Sequence, residues 1–305
     1  MLEGFSDRWR IHHIVCCLLI FLAFFSGDAV SGEVRFPIKH VKYKIFFDPG
    51  GQSDREARRQ QPYLKMLLGQ PVIIEYKVGG GGSAGWKEFS KKTRPDGYTV
   101  AGFNLPHIIL QPMFRSVGYN TNDMEPIVLF QRAPLGLAVR ADSPYKNLSD
   151  FIEAARKDPG KITVAGASIY SGSHFANLRL EKLSDAKTSY IPFTGSNPQT
   201  ASFLGGHVEA AFLNSDDMTR VRDKIRVLAF ATEERFEGFP DAPTFRELGF
   251  DLVVSVERGV CVPPYRRGRA HNPAGSDRSR HRDPQSHPVA LYGDGARGPE
   301  ARLRG

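Results

Sequence analysis

The chain has 305 residues, a length that predicts about two domains. Hydrophobic residues at 41% and charged residues at 24% exclude a collagen-like or wholly disordered chain. The net charge of +8 is concentrated: residues 265–305 hold nine arginines and four acidic residues, whereas residues 33–264 hold 30 basic and 26 acidic residues. Because polyanion binding needs clustered cations, we expect no nucleic-acid partner for the body of the protein.

The cysteines exclude two further classes of protein. Cys16 and Cys17 are adjacent in an apolar run, and Cys261 stands alone. Three such residues form neither a disulfide framework nor a cysteine-based zinc site. The predicted site contains no metal, and no cofactor is expected.

Residues 1–32 have the pattern of a secretory signal peptide. Arg8 and Arg10 precede the uncharged stretch Ile14–Phe25, and small residues follow between Ser26 and Gly32. As a helix the apolar stretch spans about 18 Å, which is too short for a hydrocarbon core of about 30 Å. We predict that this segment is cleaved and that the protein functions outside the cytoplasm; an uncleaved membrane anchor is the alternative.

Strand and helix patterns alternate in the first part of the body. The β-rich run Val41–Phe47 is followed by a helix that Ser53 or Asp54 caps and Gly69 stops. A strand at 71–76, a helix from 83 to about 92 and a strand at 98–103 continue the alternation. This order predicts a parallel sheet with helices on its faces.

A second alternating unit is predicted from about 132 to 228. It follows two extended runs, Ile127–Gln131 and Leu135–Arg140, and its helices begin near Ser149, Gly172 and Asn197. A short helix at 244–248 and a strand near 252–256 are predicted to return to the first unit. The predicted organisation is a signal peptide at 1–32, a first lobe at 33–130, a second lobe at 131–229, a return segment at 230–264, and an irregular tail at 265–305.

The tail lacks any helical or strand periodicity. It contains ten glycines and prolines, no Phe, Ile or Met, and none of the 14 lysines of the chain. Two interpretations remain open. One is a disordered basic tail that binds an acidic partner; the other is a frameshift near Pro264 in a GC-rich gene.

Five loops at strand ends indicate the kind of ligand that the protein binds. Helix N-termini carry unpaired N–H groups and partial positive charge, and glycine lets a backbone approach an anion closely. In open α/β sheets, ligands bind at the carboxyl ends of strands, where these loops lie. We therefore predict a pocket for a small anion formed by Pro49–Asp54, Gly79–Ser83, Asn104–His107, Tyr170–His174 and Thr194–Asn197.

The nucleotide-binding and catalytic motifs are weak. Gly80–Gly85 matches G-x-G-x-x-G but follows the second predicted strand rather than the first. Ser173 and His174 are adjacent and do not face each other on a helix, although an exported α/β hydrolase that uses them is the alternative function. We interpret His107, His174 and His207 as loop or surface histidines, and Asp216 with Asp217 as a solvated helix start.

Several short motifs follow one another along the body of the chain. They are F-D-P-G-G-Q-S-D at 47–54 followed by Ala57-Arg58, L-G-Q-P-V at 68–72, the glycine loop 79–82, P-D-G-Y-T at 95–99, P-F-T-G-S at 192–196, L-G-G-H-V at 204–208, and P-D-A-P-T at 240–244 with Glu247 and Gly249. Together these motifs resemble one known family, the Bug or tripartite tricarboxylate transporter extracytoplasmic solute receptors. The resemblance covers residues 36–264 in continuous order.

The resemblance implies a fold, a ligand class and a partner. The fold is a two-lobed α/β protein of the periplasmic binding protein type II kind, with a mostly parallel sheet in each lobe and a ligand cleft between them. The protein would be periplasmic and monomeric, would bind a small organic carboxylate without catalysis, and would deliver it to a membrane permease. Family members continue beyond the Val-Pro-Pro region at 262–264 with helices that complete the first lobe.

The resemblance also implies the ligand-binding residues. Loops from both lobes would grip the ligand, largely through backbone amides, hydroxyls and water. The implied residues are Phe47, Gly50, Gly51, Ser53, Asp54, Asn104, Ser171, Gly172, Ser173, His174, Thr194, Gly195 and Ser196.

Overall fold

The computed structural model describes residues 36–264; the predicted signal peptide and the predicted tail lie outside the described residues. The described part of the chain forms nine strands and seven α-helices. The strands are β1 Val41–Ile45, β2 Val72–Tyr76, β3 Thr99–Leu105, β4 Glu125–Arg140, β5 Thr163–Gly166, β6 Ser189–Pro192, β7 Ala210–Asn214, β8 Ile225–Phe230 and β9 Ser255–Val262. The helices are α1 Gln52–Leu68, α2 Ser83–Lys92, α3 His107–Phe114, α4 Leu148–Lys157, α5 Gly172–Ser184, α6 Ser196–Leu204 and α7 Ser215–Arg220.

The strands form two sheets, one in each lobe. In the first lobe the order is β2-β1-β3-β9-β4, with β1 parallel to β2 and β3, and β9 antiparallel to its two neighbours. In the second lobe β5 lies parallel between β6 and β7, and β4 pairs antiparallel with β7 and β8. The predicted fold class, a two-lobed α/β protein with mixed sheets, is confirmed, but each sheet has two parallel and two antiparallel strand pairs rather than mostly parallel ones.

Strand β4 belongs to both sheets. Its first part, from Glu125 to Pro134, pairs with β9 in the first lobe, and its second part, from Leu135 to Arg140, pairs with β7 and β8 in the second. The two extended runs predicted at 127–131 and 135–140 are therefore one continuous strand. Proline is tolerated at Pro134 because the ladder changes partners at this position.

Each lobe has its own apolar core. Trp86 and Phe89 of α2 pack against Phe46 and Phe103 in the first lobe. Leu137, Phe151 and Phe212 lie in the core of the second lobe. Burying each such side chain stabilises the fold by about 1.5–3 kcal/mol. Each lobe is therefore stabilised by a core of its own.

Most predicted helices are confirmed, and glycine ends one of them as expected. Helix α1 ends where Gly69 adopts a left-handed φ of 64°, which a residue with a side chain adopts at a cost. It begins at Gln52 after Gly51, so Ser53 and Asp54 are not its cap. Helix α3 was not predicted.

The predicted short helix at 244–248 is wrong. Thr244 and Glu247 exchange hydrogen bonds between side chain and backbone, as in a helix N-terminus. Gly249, with φ of 88°, turns the chain before a second turn forms. The strand predicted near 252–256 begins at Ser255 and continues to Val262.

None of the helices in residues 36–264 combines the length and apolar character that crossing a bilayer requires.

Candidate functional site

A small cavity lies where the two sheets meet, and residues from both lobes line it. The first lobe contributes residues from the loop after β1, α1, β3, α3 and β9, and the second contributes residues from β4, β7, α5, α6 and the loop after β5. The lining residues are Phe47, Gly51, Gln52, Ser53, Asn104, His107, Leu135, Ala167, Ser171, Ser173, Ser196, Gln199, Phe212, Asn214, Val256 and Arg258.

Four helices begin at this cavity. They are α1, α3, α5 and α6, whose first turns contribute Gln52, His107, Ser173 and Ser196 to the lining. The first N–H groups of a helix have no partner within the helix and carry partial positive charge. Converging N-termini therefore make the cavity favourable for an anion without requiring a positive side chain.

The structure brings together seven of the thirteen predicted site residues. All seven line the cavity and come from four of the five predicted loops or their flanking strands. They are Phe47, Gly51, Ser53, Asn104, Ser171, Ser173 and Ser196.

The other six predicted residues are not among those that line the cavity. They are Gly50, Asp54, Gly172, His174, Thr194 and Gly195. Asp54 accepts hydrogen bonds from Gly50 N (2.7 Å) and Tyr76 Oη (2.6 Å) and pairs with Arg58. Burial alone would raise the pKa of Asp54, but these hydrogen bonds hold its pKa below the ordinary value. Asp54 therefore fixes the loop as an anion, and its role as a ligand contact stays a prediction.

The glycine loop at 79–82 touches the second lobe but does not line the cavity. Gly81 has φ of 65°, and a Cβ placed on it would lie 2.7 Å from Ser168 Cβ. Glycine is required here because the backbone is left-handed and the other lobe approaches closely.

Several polar lining residues were not predicted from the sequence. These are Gln52, His107, Gln199, Asn214 and Arg258. Gln52 and His107 belong to loops that were predicted as ranges, but the side chains were not assigned to the site. Gln199 donates to Ala165 O (3.1 Å) and Phe212 O (2.7 Å), so it links α6 to the second sheet.

The interpretation of His107 as a loop or surface histidine is wrong. His107 is the first residue of α3, is buried and lies edge-on to Phe47. Burial, with a smaller contribution from the charge of Arg258, lowers the pKa of His107 to about 3. The ring is therefore neutral at physiological pH, and its Nδ1 has no hydrogen-bond partner among the described residues.

Polar contacts cross the cleft at the start of α7. Arg55 Nη2 lies 2.6 Å from Asp217 Oδ1, and Gln52 Nε2 donates to Asp216 Oδ2. Gln131 of β4 also donates to Asp216 Oδ2, at 2.8 Å. The predicted solvated helix start at Asp216 and Asp217 is therefore wrong, because Asp217 is fully buried and both carboxylates have partners across the cleft.

The backbone also links the lobes. Gln52 N, at the first turn of α1, donates to Ser196 Oγ at 3.1 Å. Ser196 is the first residue of α6 in the second lobe. One hydroxyl therefore joins the N-termini of two facing helices at the wall of the cavity.

The serines of the second lobe form a hydroxyl network. Ser173 Oγ lies 2.8 Å from Ser171 Oγ and 3.1 Å from Tyr190 Oη, and it accepts from Ala167 N at 3.0 Å. His174 Nδ1 accepts from Tyr170 N instead of facing Ser173. The partners of Ser173 include no general base, so the arrangement lacks the nucleophile–base pair that a hydrolase needs.

No three His, Cys, Asp or Glu side chains within residues 36–264 lie close enough to share a metal ion.

Comparison with known proteins gives concordant matches. The family model described as "Tripartite tricarboxylate transporter family receptor" matches residues 57–267. A Cupriavidus necator protein, "UPF0065 protein in gbd 5'region", is 30% identical over 231 residues, which cover 75% of this chain and 70% of the relative.

Solved structures agree with this match. MatC from Rhodopseudomonas palustris, solved with bound malate, is 28% identical with a TM-score of 0.70, and the match covers 75% of this chain and 79% of MatC. The periplasmic binding protein BugD is 27% identical with a TM-score of 0.70, over 75% of this chain and 77% of BugD. Because the family model spans more than half of the sequence, the family inferred from the motifs is confirmed, and this chain belongs to the tripartite tricarboxylate transporter family of solute receptors, which includes the Bug proteins.

Proposed function

We propose that this protein is a periplasmic receptor that binds a small organic carboxylate between its lobes and delivers it unchanged to the membrane permease of a tripartite transporter. The convergence of four helix N-termini on one cavity carries this proposal. The bound malate in MatC, which is 28% identical, supports a carboxylate as the ligand. The family description supports the transporter as the partner.

Lobe closure is the proposed signal to the permease. Strand β4 passes from one sheet to the other, and the chain returns to the first sheet through β9. We place the hinge near residues 131 and 229, with the first lobe at 33–130, the second at 131–229 and the return at 230–264. Rotation about these segments would close the cleft on the ligand, and the permease would recognise the closed form.

Export follows from the N-terminal pattern. We propose that residues 1–32 act as a cleaved signal peptide and that the mature receptor is a monomer.

A binding assay with product analysis tests the proposal. We expect calorimetric titration to show saturable one-to-one binding of at least one acid among malate, succinate and citrate, and NMR to recover the acid unchanged. The variant Ser196→Ala loses the acceptor for Gln52 N–H and should bind about tenfold more weakly. The control Ser149→Ala, at an exposed position of α4, should bind like the wild type. Chemical conversion of the acid would contradict the proposal.

A further inference from the structure

A buried arginine lies at the wall of the cavity. Arg258 is in strand β9, directly opposite Asn104 of β3 and Gln131 of β4 in the sheet register. Its side chain lines the cavity, and the residue is only 4% exposed. Burying a guanidinium costs several kcal/mol unless an anion or several acceptors compensate for the lost water.

The protein itself compensates this charge only in part. Arg258 Nη1 donates to Gln131 Oε1 at 3.2 Å, an interaction with a neutral acceptor. Arg258 Nε has no hydrogen-bond partner in the described part of the chain. Within residues 36–264 no carboxylate forms a salt bridge with Arg258. A buried donor therefore remains at the cavity wall.

The nearest acidic groups bind other residues. Asp217 pairs with Arg55 at 2.6 Å and with Arg220 at 3.1 Å. Asp216 accepts hydrogen bonds from the amides of Gln52 and Gln131. These carboxylates act on Arg258 through space, and they are held by partners across the cleft and on α7.

The charges around the cavity leave a positive excess. Four arginines (Arg55, Arg59, Arg220 and Arg258) accompany three acidic residues (Glu56, Asp216 and Asp217), which gives a net charge of +1 for this cluster. His107 adds no charge because its ring is neutral, as shown above. Since burial strengthens electrostatic interactions, an anionic group beside Arg258 would be strongly favoured.

We propose that Arg258 binds a second carboxylate of the ligand, distinct from the carboxylate held at the helix N-termini, and so selects dianionic acids over monoanionic ones. This inference rests on the proposed carboxylate-binding function and deepens it. A guanidinium offers N–H donors in a rigid plane that matches a carboxylate. A neutral group in the same place would leave the buried positive charge uncompensated.

The test compares succinate with monomethyl succinate, which has the same carbon chain but a single negative charge. Calorimetry on the wild type should show succinate binding about 30-fold more tightly, the ratio expected for about 2 kcal/mol from a charge-assisted hydrogen bond. In Arg258→Gln the affinity for succinate should fall about 30-fold, while that for monomethyl succinate changes by less than threefold. The ratio then approaches one.

A matched control distinguishes a direct contact between Arg258 and the ligand from a general effect of positive charge near the cavity. Arg220→Gln removes a positive charge from the same cluster, but Arg220 does not line the cavity. This variant should keep most of the preference for succinate. An equal loss of preference in Arg220→Gln and Arg258→Gln would overturn the proposed contact.

The outcomes distinguish this inference from the proposed function. If the wild type binds neither succinate, malate nor citrate, the proposed function fails. If it binds these acids but does not distinguish succinate from its monomethyl ester, only the role of Arg258 fails. A wild-type ratio near one overturns the inference even if Arg258→Gln does not fold.

Discussion

Arg55 Nη2 lies 2.6 Å from Asp217 Oδ1, so an ion pair joins helix α1 of the first lobe to helix α7 of the second. The carboxylate is fully buried, and the arginine side chain is 22% exposed. The two residues belong to different lobes, so the pair links the lobes beside the cavity. In the lobe closure that we propose, this contact would stabilise the closed form.

Removing this ion pair should favour an open cleft. In Arg55→Gln, Asp217 keeps Arg220 as a partner, so we expect the ligand affinity to fall about tenfold rather than to disappear. Small-angle X-ray scattering without ligand should show a larger radius of gyration than the wild type. Arg59→Gln is the control, because Arg59 pairs with Glu56 within α1 and is 70% exposed. A compact, tightly binding Arg55→Gln would contradict the role of the pair.

Hydroxylated acids should bind more tightly than their deoxy counterparts. Gln52 and Asn214 direct their amide nitrogens at the carboxylates of Asp216 and Asp217, so their amide oxygens cannot face these groups. Both oxygens are buried and lack a donor among residues 36–264. A ligand hydroxyl would supply one.

We expect malate to bind about fivefold more tightly than succinate, the gain from one additional neutral hydrogen bond of about 1 kcal/mol. Calorimetry with both acids under identical conditions measures this ratio. Asn214→Ala should reduce the preference by removing one acceptor. Succinate binding as tightly as malate would show that neither oxygen contacts the ligand.

Stability should decrease in mild acid because of His107. Its pKa in the folded protein, about 3, lies below the ordinary value of 6.5. Between these values the unfolded chain binds a proton that the folded protein excludes, so stability is complete above pH 6.5 and declines as the pH falls toward 3. At pH 5 this residue alone should lower the free energy of unfolding by about 2 kcal/mol relative to pH 8.

Urea unfolding at pH 8 and pH 5 measures this loss. His107→Gln should lose less stability than the wild type on the same change of pH. The control His207→Gln, at an exposed position, should lose as much as the wild type. An unchanged pH dependence in His107→Gln would mean that the buried ring is protonated in the folded protein.

Substitutions in an exposed apolar patch on α1 should leave ligand binding unchanged. Tyr63, Met66 and Leu67 lie on one face of the helix at helical spacing and are 66%, 71% and 77% exposed. Replacing Met66 and Leu67 by Gln should lower the binding of a hydrophobic dye and change the unfolding free energy by less than about 0.5 kcal/mol. Carboxylate affinity should not change.

The matched control for this patch is Met218→Gln. Met218 is fully buried in the second lobe, so this substitution should cost about 2–5 kcal/mol. A similar loss of stability from the exposed pair would show that α1 is covered in solution.

The local patterns of the sequence predicted most of the helices and strands because these patterns depend on neighbouring residues. Gly69 ended α1, and the strand-end loops identified four segments that meet at the cavity. Pairings between distant residues left no local signal. The continuity of β4 across Pro134 depends on its switch from β9 to β7 and β8, which only the folded chain shows.

The missed site residues have the same explanation. Arg258 stands next to Glu257 in the run S-V-E-R-G-V-C-V, and nothing beside it indicates burial against β3 and β4. The one indication was that Arg258 alternates with the apolar Val256 and Val260, the spacing of residues on one face of a strand. Asp217 resembled a solvated helix start because its cross-cleft partner, Arg55, lies 162 residues earlier.

The central claim is that two lobes close on a small carboxylate and leave it chemically unchanged. The most direct test is calorimetric titration of the purified protein with malate, followed by NMR of the recovered ligand. We predict saturable binding at one site per chain and the quantitative recovery of malate. Failure of malate, succinate and citrate to bind, or conversion of any of them to a product, would contradict the account.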